Sequence, residues 1–411
     1  MSLMFDLNDF ISEYVIRRCN SMFQKDIDDN QKELYKKIHG KSVLVIGGAG
    51  SIGSSFIKEI LPFKPGEIII VDTNENALTE LTRDLRCSDI YMPDIYRTYP
   101  MDYNSYPFRH MFMEHRNTEK NAAGFDIVCN FSAHKHVRSE KDIYSIEAML
   151  RNNVINAMGL LDLLAVCPPE SFFCVSTDKA ANPVNVMGAS KRIMEDLIFS
   201  YSEFFPVKTA RFANVAFSNG SLLDGFMRRI SKLQPISAPT DIKRYFVSPI
   251  ESGQICLLAA IMGENRTIFF PKLQVSQMES FDNIARNLLK VLGYEPVECK
   301  SNREAVSRIA ALKQGGKEYP VLFEKSDTSG EKKFEEFYTS DELVEVKKYD
   351  AVGMIKSRNI PNRDDVTAFI KRLEDALDQD KRNKGDIIKM INKYLPEFSH
   401  LETEKNLDEK M

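Results

Sequence analysis

The sequence has no run approaching the roughly 18 consecutive apolar residues that a membrane-spanning helix needs, and its first residues lack the basic and then apolar profile of a secretory signal. A cytoplasmic location is the expectation. The seven cysteines (Cys19, Cys87, Cys129, Cys167, Cys174, Cys256 and Cys299) are scattered, odd in number and free of any C-x-x-C or His/Cys ligand spacing. This speaks against a disulfide framework or a metal site and for reduced thiols. A strong charge of either sign is missing too. With a formal net charge of −4 and a pI near 6.0, nothing draws the chain to nucleic acid or to an anionic membrane, so an anionic ligand needs a local pocket of positive charge. No repeat or low-complexity tract interrupts the chain.

What is present is enough apolar material for one large core and a smaller one: 411 residues, of which 43% are hydrophobic and 28% charged. Residues 1–40 place Phe5, Phe10, Ile11, Tyr14, Val15, Met22 and Phe23 at helical spacing, which predicts an amphipathic helical extension with a packing or oligomer role. From Lys41 the pattern changes to short apolar runs alternating with helical stretches. Val43–Ile46, Ile68–Val71, Ile127–Phe131, Phe172–Val175 and Lys208–Phe212 read as buried strands, and such alternation implies an α/β fold with a Rossmann-type doubly wound parallel sheet. We assign 41–220 to this unit. Beyond Asn219 the alternation is broken by Pro235, Pro239, Pro249 and Pro271, so 221–359 is expected to be mainly a smaller α/β substrate-binding domain, interleaved in part with the first. Residues 360–411 form a charged extension with two helical stretches, Asp365–Leu377 and Asp386–Leu395.

The segment 43–53, VLVIGGAGSIG, sets Gly47, Gly50 and Gly53 between an apolar strand and a helix that opens with Ser51 and Ile52. Glycines let the backbone approach a pyrophosphate, and the helix N-terminus offers N–H groups and a positive dipole end. The next strand ends in Asp72, which can accept from both ribose hydroxyls of NAD and would meet a 2′-phosphate with like charge. NAD is therefore the expected cofactor and NADP the alternative. Arg83 and Arg86 read as surface charges, while Asp102, after the third strand, is a candidate adenine contact or a solvated loop acid.

Further along stand Ser176-Thr177-Asp178-Lys179 and Met187-Gly188-Ala189-Ser190-Lys191. With SAHKHV at 132–137, NNV at 152–154, RFANV at 211–215, SNGS at 218–221, RYF at 244–246 and a weaker SGEKKFEE at 329–336, the chain resembles the extended short-chain dehydrogenase/reductases. Within them it is similar to the CapD-like UDP-N-acetylglucosamine 4,6-dehydratases. The resemblance covers roughly 41–340 and implies a nucleotide sugar oxidised at C4, stripped of water across C5 and C6, and reduced at C6. It assigns Asp178 as proton donor to the leaving C6 hydroxyl and Lys179 as the base at C5, with Thr177 positioning O4 and Lys191 on the nicotinamide ribose. These roles require a raised pKa for the acid and a lowered one for the basic lysine. Met187 occupies the place of the superfamily's Tyr and cannot carry a proton, as in a Met-bearing branch of the same family. The group taking the O4 proton is left open, with Asp178 the nearest candidate.

On the same resemblance, Ala133 faces the cofactor, Lys135 and His136 face the cofactor or sugar, Asn214 lies near the nucleotide phosphates, Arg244 is a cation toward the UDP, and Ser221 is a substrate-binding residue. Glu331 and Lys332 stand at the uridine end. His136 reads equally well as a packed helix-start residue. The implied product is a UDP-4-keto-6-deoxy sugar for a surface polysaccharide or glycan, formed by a homo-oligomer that meets its substrate in solution. A nucleotide-sugar 4-epimerase is the nearest alternative, although an epimerase normally keeps the Tyr and lacks the Asp-Lys pair. A cofactor-binding assembly protein without turnover is the alternative from another class.

Overall fold

The computed structural model describes residues 5–117, 120, 122–136, 140–326, 332, 335–356 and 361–400. Among these, nine strands form one sheet: β1 Ser42–Ile46, β2 Glu67–Asp72, β3 Ile95–Pro100, β4 Ile127–Asn130, β5 Ser171–Val175, β6 Val207–Ala210, β7 Thr267–Pro271, β8 Leu343–Glu345 and β9 Val352–Lys356. Their order is β8-β9-β7-β6-β5-β4-β1-β2-β3. All pairings from β3 to β7 are parallel, and β9 runs antiparallel to both β7 and β8. This is the doubly wound sheet expected from the apolar runs. Helices cover both faces, so every residue of β1, β5, β6 and β7 is buried and none of these strands shows a polar alternation.

The chain leaves β1 for β2 and β3 on one side and returns for β4 on the other. That reversal opens a crevice beyond the C-terminal ends of β1 and β4, where α/β sheets bind their ligands. Two helices point their N-termini toward it: α1, Ser51–Ile60, after β1, and α2, Val186–Ser200, after β5.

A second, smaller core gathers on a three-stranded parallel sheet of Ile236–Pro239, Glu318–Glu324 and Glu295–Glu298, against α3, Phe281–Val291. Phe226, Ile236, Ile284, Leu288, Tyr319 and Val321 fill it. The region 221–359 contributes to both cores, because β7, β8 and β9 lie within it and complete the large sheet.

Residues before β1 form short helical pieces at Leu7–Phe10, Ile11–Val15, Gln24–Asp29 and Gln31–Ile38. They divide between the cores: Phe10, Ile11 and Val15 pack into the small one, Phe23, Leu34 and Ile38 into the large one. Arg18 between them makes a two-pronged pair with the buried Glu251, at 2.6 Å on each prong. Downstream, α4 (Arg363–Leu377) and α5 (Lys384–Tyr394) lie against the body, with Phe369 stacked on Tyr394 at 4.0 Å between ring centroids. The Tyr394 hydroxyl reaches Asp196 of α2 at 3.4 Å, and the Ser399 amide donates to the Pro183 carbonyl at 3.2 Å, just before α2 begins.

Candidate active site

The glycine loop is shaped by contacts that only glycine tolerates. Gly47 has φ +72°, and a Cβ there would fall 2.6 Å from the Ser132 amide nitrogen, so the loop after β1 lies directly on the loop after β4. A Cβ on Gly53 would fall 2.4 Å from the Gly47 carbonyl oxygen, which seats α1 tightly under the turn. At Gly50 the nearest atom, the same carbonyl, is 3.4 Å away. Among the described residues nothing comes closer, as expected where a phosphate is to approach the backbone. Asp72 ends β2 beside this turn; its carboxylate accepts from the Ala49 amide at 3.1 Å and the Asn74 amide at 3.0 Å. Turn, helix N-terminus and strand-end acid together fit NAD, and the Asp72 charge disfavours a 2′-phosphate.

Other residues expected here hold the crevice together. Ile52 packs against the large core. The Ser51 hydroxyl accepts from the Asn219 amide at 2.9 Å, drawing the 218–221 turn onto the start of α1. Ser221 caps the helix Leu222–Ser231, its hydroxyl accepting from the Asp224 amide at 3.2 Å. Across the crevice, Ala133 is half-buried, the Lys135 amine reaches the Ser218 hydroxyl at 3.4 Å, and the His136 ring lies against Gly220. Asp102 is exposed and uses its carboxylate on the Asn104 amide at 2.7 Å.

The second half of the site grows from the end of β5. Thr177 caps a short 3-10 turn, Asp178–Ala180. Its hydroxyl donates to Asp178 Oδ1 at 2.7 Å, and the Lys179 amine reaches the same oxygen at 3.0 Å. A Cβ on Gly188 would fall 2.5 Å from the Lys179 carbonyl oxygen, so the first turn of α2 presses on this backbone. Three residues on, the Lys191 amine donates to the Val175 carbonyl at 3.0 Å, and burial lowers its pKa. Asn153 links the two halves: its amide group donates to the His134 carbonyl and the Ser190 hydroxyl, both at 3.0 Å.

Tertiary structure adds a carboxylate that was not singled out from the sequence. Glu335 Oε1 lies 3.9 Å from the Lys179 amine and 3.9 Å from the Arg244 guanidinium. Arg244, Asp178 and Glu335 are all buried. Asp178 Oδ2 and Glu335 Oε2 have no hydrogen-bond partner among the described residues, an arrangement that suits groups awaiting a ligand. Glu335 belongs to the same SGEKKFEE segment from which Glu331 was chosen; Glu331 lies outside the described residues. The Lys332 amine donates to the Asn182 carbonyl. Asn214 turns to backbone, its amide nitrogens lying 3.1 and 3.4 Å from the Tyr245 carbonyl.

One electrostatic expectation is corrected. Lys179 was expected to have a lowered pKa, as a free base would. Burial does press it down, but Asp178 and Glu335 more than offset burial and Arg244 together, and the net shift is upward. Burial pushes the Glu335 carboxyl up, an effect that Asp178 reinforces and Lys179 and Arg244 oppose. Lys179 is therefore an ammonium held between two acids.

The floor of the cluster is set by Arg211, fully buried at the end of β6. It pairs with Glu195 through Nε at 2.9 Å and Nη2 at 2.6 Å, reaches Glu342 at 2.8 Å, and donates to the Phe337 carbonyl at 3.1 Å. Glu195 in turn accepts from the Ser176 hydroxyl at 2.6 Å. One buried ion network thus joins α2, the end of β5 and the segment carrying Glu335.

Residues 43–342 match the family described as polysaccharide biosynthesis protein. The chain belongs to this family. It is 27% identical to the capsular polysaccharide biosynthesis protein CapD of Staphylococcus aureus over 74% of its own length and spans about half of that relative, 48%. It is 26% identical to a UDP-N-acetylglucosamine 4,6-dehydratase (inverting) of Campylobacter jejuni, over 73% of this chain and 82% of the other. The solved structure of Pen from Bacillus thuringiensis superposes with a TM-score of 0.62 at 20% identity, covering 88% of this chain and 98% of that one, and so shares the fold. Within this family member, no helix among the described residues is long and apolar enough to cross a membrane.

Met187 is buried in the first turn of α2, its carbonyl accepting from the Ser190 hydroxyl at 2.7 Å. A thioether in that setting fills volume. Met187→Leu is expected to keep turnover within about threefold of the parent, as volume-conserving apolar exchanges cost little. A loss comparable to removing Asp178, in steady-state assays, would show that Met187 does more than pack.

Proposed function

We propose that the protein is an NAD-dependent nucleotide-sugar 4,6-dehydratase that converts a UDP-N-acetylhexosamine, with UDP-N-acetylglucosamine as the first choice, to a 4-keto-6-deoxy sugar for surface polysaccharide. The observation that carries the reading is the Thr177–Asp178–Lys179 cluster at the end of β5, with Asp178 buried and its two neighbours half-buried. It sets an acid and an amine side by side against the first turn of the Lys191 helix. The similarity to the Campylobacter dehydratase supports it.

NAD, when bound, supplies acceptance of hydride from C4 and its return to C6. The remaining work is proton movement. Thr177 positions O4, and Asp178 Oδ2 accepts the O4 proton as the alcohol becomes a ketone. The ketone acidifies C5–H, Lys179 as a free amine takes that proton, and Asp178 passes its own to the departing O6 as water leaves. Lys179 returns its proton to C5 when C6 is reduced, so the cycle consumes neither protons nor cofactor. Lys191 holds the ribose and a positive charge beside it. Arg244 supplies a buried guanidinium for the diphosphate.

Incubating the protein and NAD with UDP-N-acetylglucosamine in D2O, followed by proton NMR, is expected to reveal a C6 methyl signal with deuterium at C5. A 4-epimerised sugar with no methyl would replace this reading with that of a nucleotide-sugar 4-epimerase, which oxidises C4 and returns hydride there.

A further inference from the structure

Lys179 poses a difficulty for the proposed reaction, on whose assignment of Lys179 as the C5 base this inference rests. A base must be neutral, yet Lys179 is an ammonium in contact with Asp178 at 3.0 Å and facing Glu335 at 3.9 Å. We propose that Glu335 accepts the proton that Lys179 must shed, and that the nucleotide diphosphate triggers this hand-over by drawing Arg244 away from Glu335.

Glu335 stands between two cations, Lys179 on one side and Arg244 on the other, each 3.9 Å from Oε1. The charged groups that face it are Lys179 and Asp178 from the turn after β5, Arg244 from the strand Lys243–Arg244, and Lys332 from its own segment. Burial favours its neutral form, Lys179 and Arg244 oppose this and Asp178 reinforces it, and the net effect is upward. A diphosphate paired with Arg244 claims that cation through charge-assisted hydrogen bonds. Glu335 is then left with Lys179 as its principal partner, in a site from which the sugar excludes water. In a medium of low polarity a neutral acid–amine pair competes with an ion pair, because neither member pays for desolvation.

The step balances within the pair. The N–H bond of the Lys179 ammonium breaks, an O–H bond forms on Glu335, and the products are an amine and a carboxylic acid with no net charge change and no proton taken from solvent. The distance of 3.9 Å exceeds a hydrogen bond by about 1 Å, within reach of a side-chain rotation. Oε2, buried and without a hydrogen-bond partner among the described residues, is a second landing place for the proton. Asp178 is not the acceptor, since its free Oδ2 is needed at O4 and O6. Substrate binding thereby arms the base, and an empty site keeps Lys179 charged and unreactive.

The test is the pH dependence of Lys179 acylation by an amine-selective reagent, read by mass spectrometry with and without UDP. In the parent protein, UDP is expected to move the midpoint down by about one pH unit or more. In Glu335→Gln the midpoint starts lower than in the parent, because one of the two acids that raise it is gone while Asp178 remains, and UDP moves it little. A second readout is the rate of C5–H exchange. The parent exchanges at a rate nearly independent of pH around neutrality, because its proton moves inside the site. Glu335→Gln must release that proton to solvent, so its rate climbs about tenfold per pH unit below the Lys179 pKa.

An unmoved midpoint in the parent protein, or an equal shift in both proteins, overturns the hand-over; the parent measurement decides even where the variant fails to fold. The two readings fail separately. Dehydration without a UDP-induced shift removes the hand-over and leaves the dehydratase. A shift in a protein that only epimerises its sugar removes the dehydratase and leaves the hand-over.

Discussion

Asp178→Asn is expected to lower turnover by about a thousandfold while leaving the melting temperature nearly unchanged. The amide is nearly the same shape as the carboxylate, and its carbonyl oxygen can still accept from the Thr177 hydroxyl and the Lys179 amine, which sit at 2.7 and 3.0 Å from Oδ1. What changes is the other position. Oδ2, buried and without a hydrogen-bond partner among the described residues, becomes an NH2 that can neither take a proton from O4 nor carry one to O6. The loss should lie in kcat with KM little altered, because the side chain meets the sugar at the reacting atoms rather than the nucleotide. Steady-state kinetics on the nucleotide sugar, paired with a thermal melt, measure both. A variant retaining more than about a tenth of the parent turnover would take Asp178 out of the proton path.

Arg211→Met is expected to lower the stability of the folded protein by about 3–5 kcal/mol. Arg211 and Glu195 are both 0% exposed, and Glu195 gives both oxygens to the guanidinium. Removing the cation strands a buried carboxylate, and Arg192, 3.5 Å away at the helix surface, replaces the geometry only in part. Replacing both partners with apolar residues should recover much of the loss, since no charge is then left buried alone. Urea denaturation of the single and double variants distinguishes these outcomes; a single-variant loss under about 1 kcal/mol would show that the network is dispensable. The damage should also reach function. Arg211 holds the Phe337 carbonyl and Glu342, so its loss frees the segment that brings Glu335 to Lys179 and Arg244.

The large sheet and half of the candidate site were legible in the sequence because their signals are local. Continuous apolar runs mark strands buried on both faces, and the glycine spacing, the acid of Asp72 and the Thr177–Asp178–Lys179 run each lie at the end of one such strand. The sequence also showed that Met187 cannot carry a proton, which is a property of the residue itself. Glu335 was not legible. It sits in a segment with three glutamates, Glu331, Glu335 and Glu336, and no periodicity there says which one turns inward. Arg211 and Glu195 read as ordinary charges until two distant elements bring them together.

Residue type and spacing by themselves determined the doubly wound fold, the dinucleotide loop and the presence of an acid beside an amine, since each needs only a few consecutive side chains and the strand or turn they form. Tertiary structure alone decided that a second acid, Glu335, faces that amine, and how the N-terminal segment divides between two cores. Charge interactions and apolar contacts act through space, and chain separation does not predict which groups they join. Burial alone would lower Lys179; Asp178 beside it and Glu335 folded back against it more than offset burial, and it is held as an ammonium.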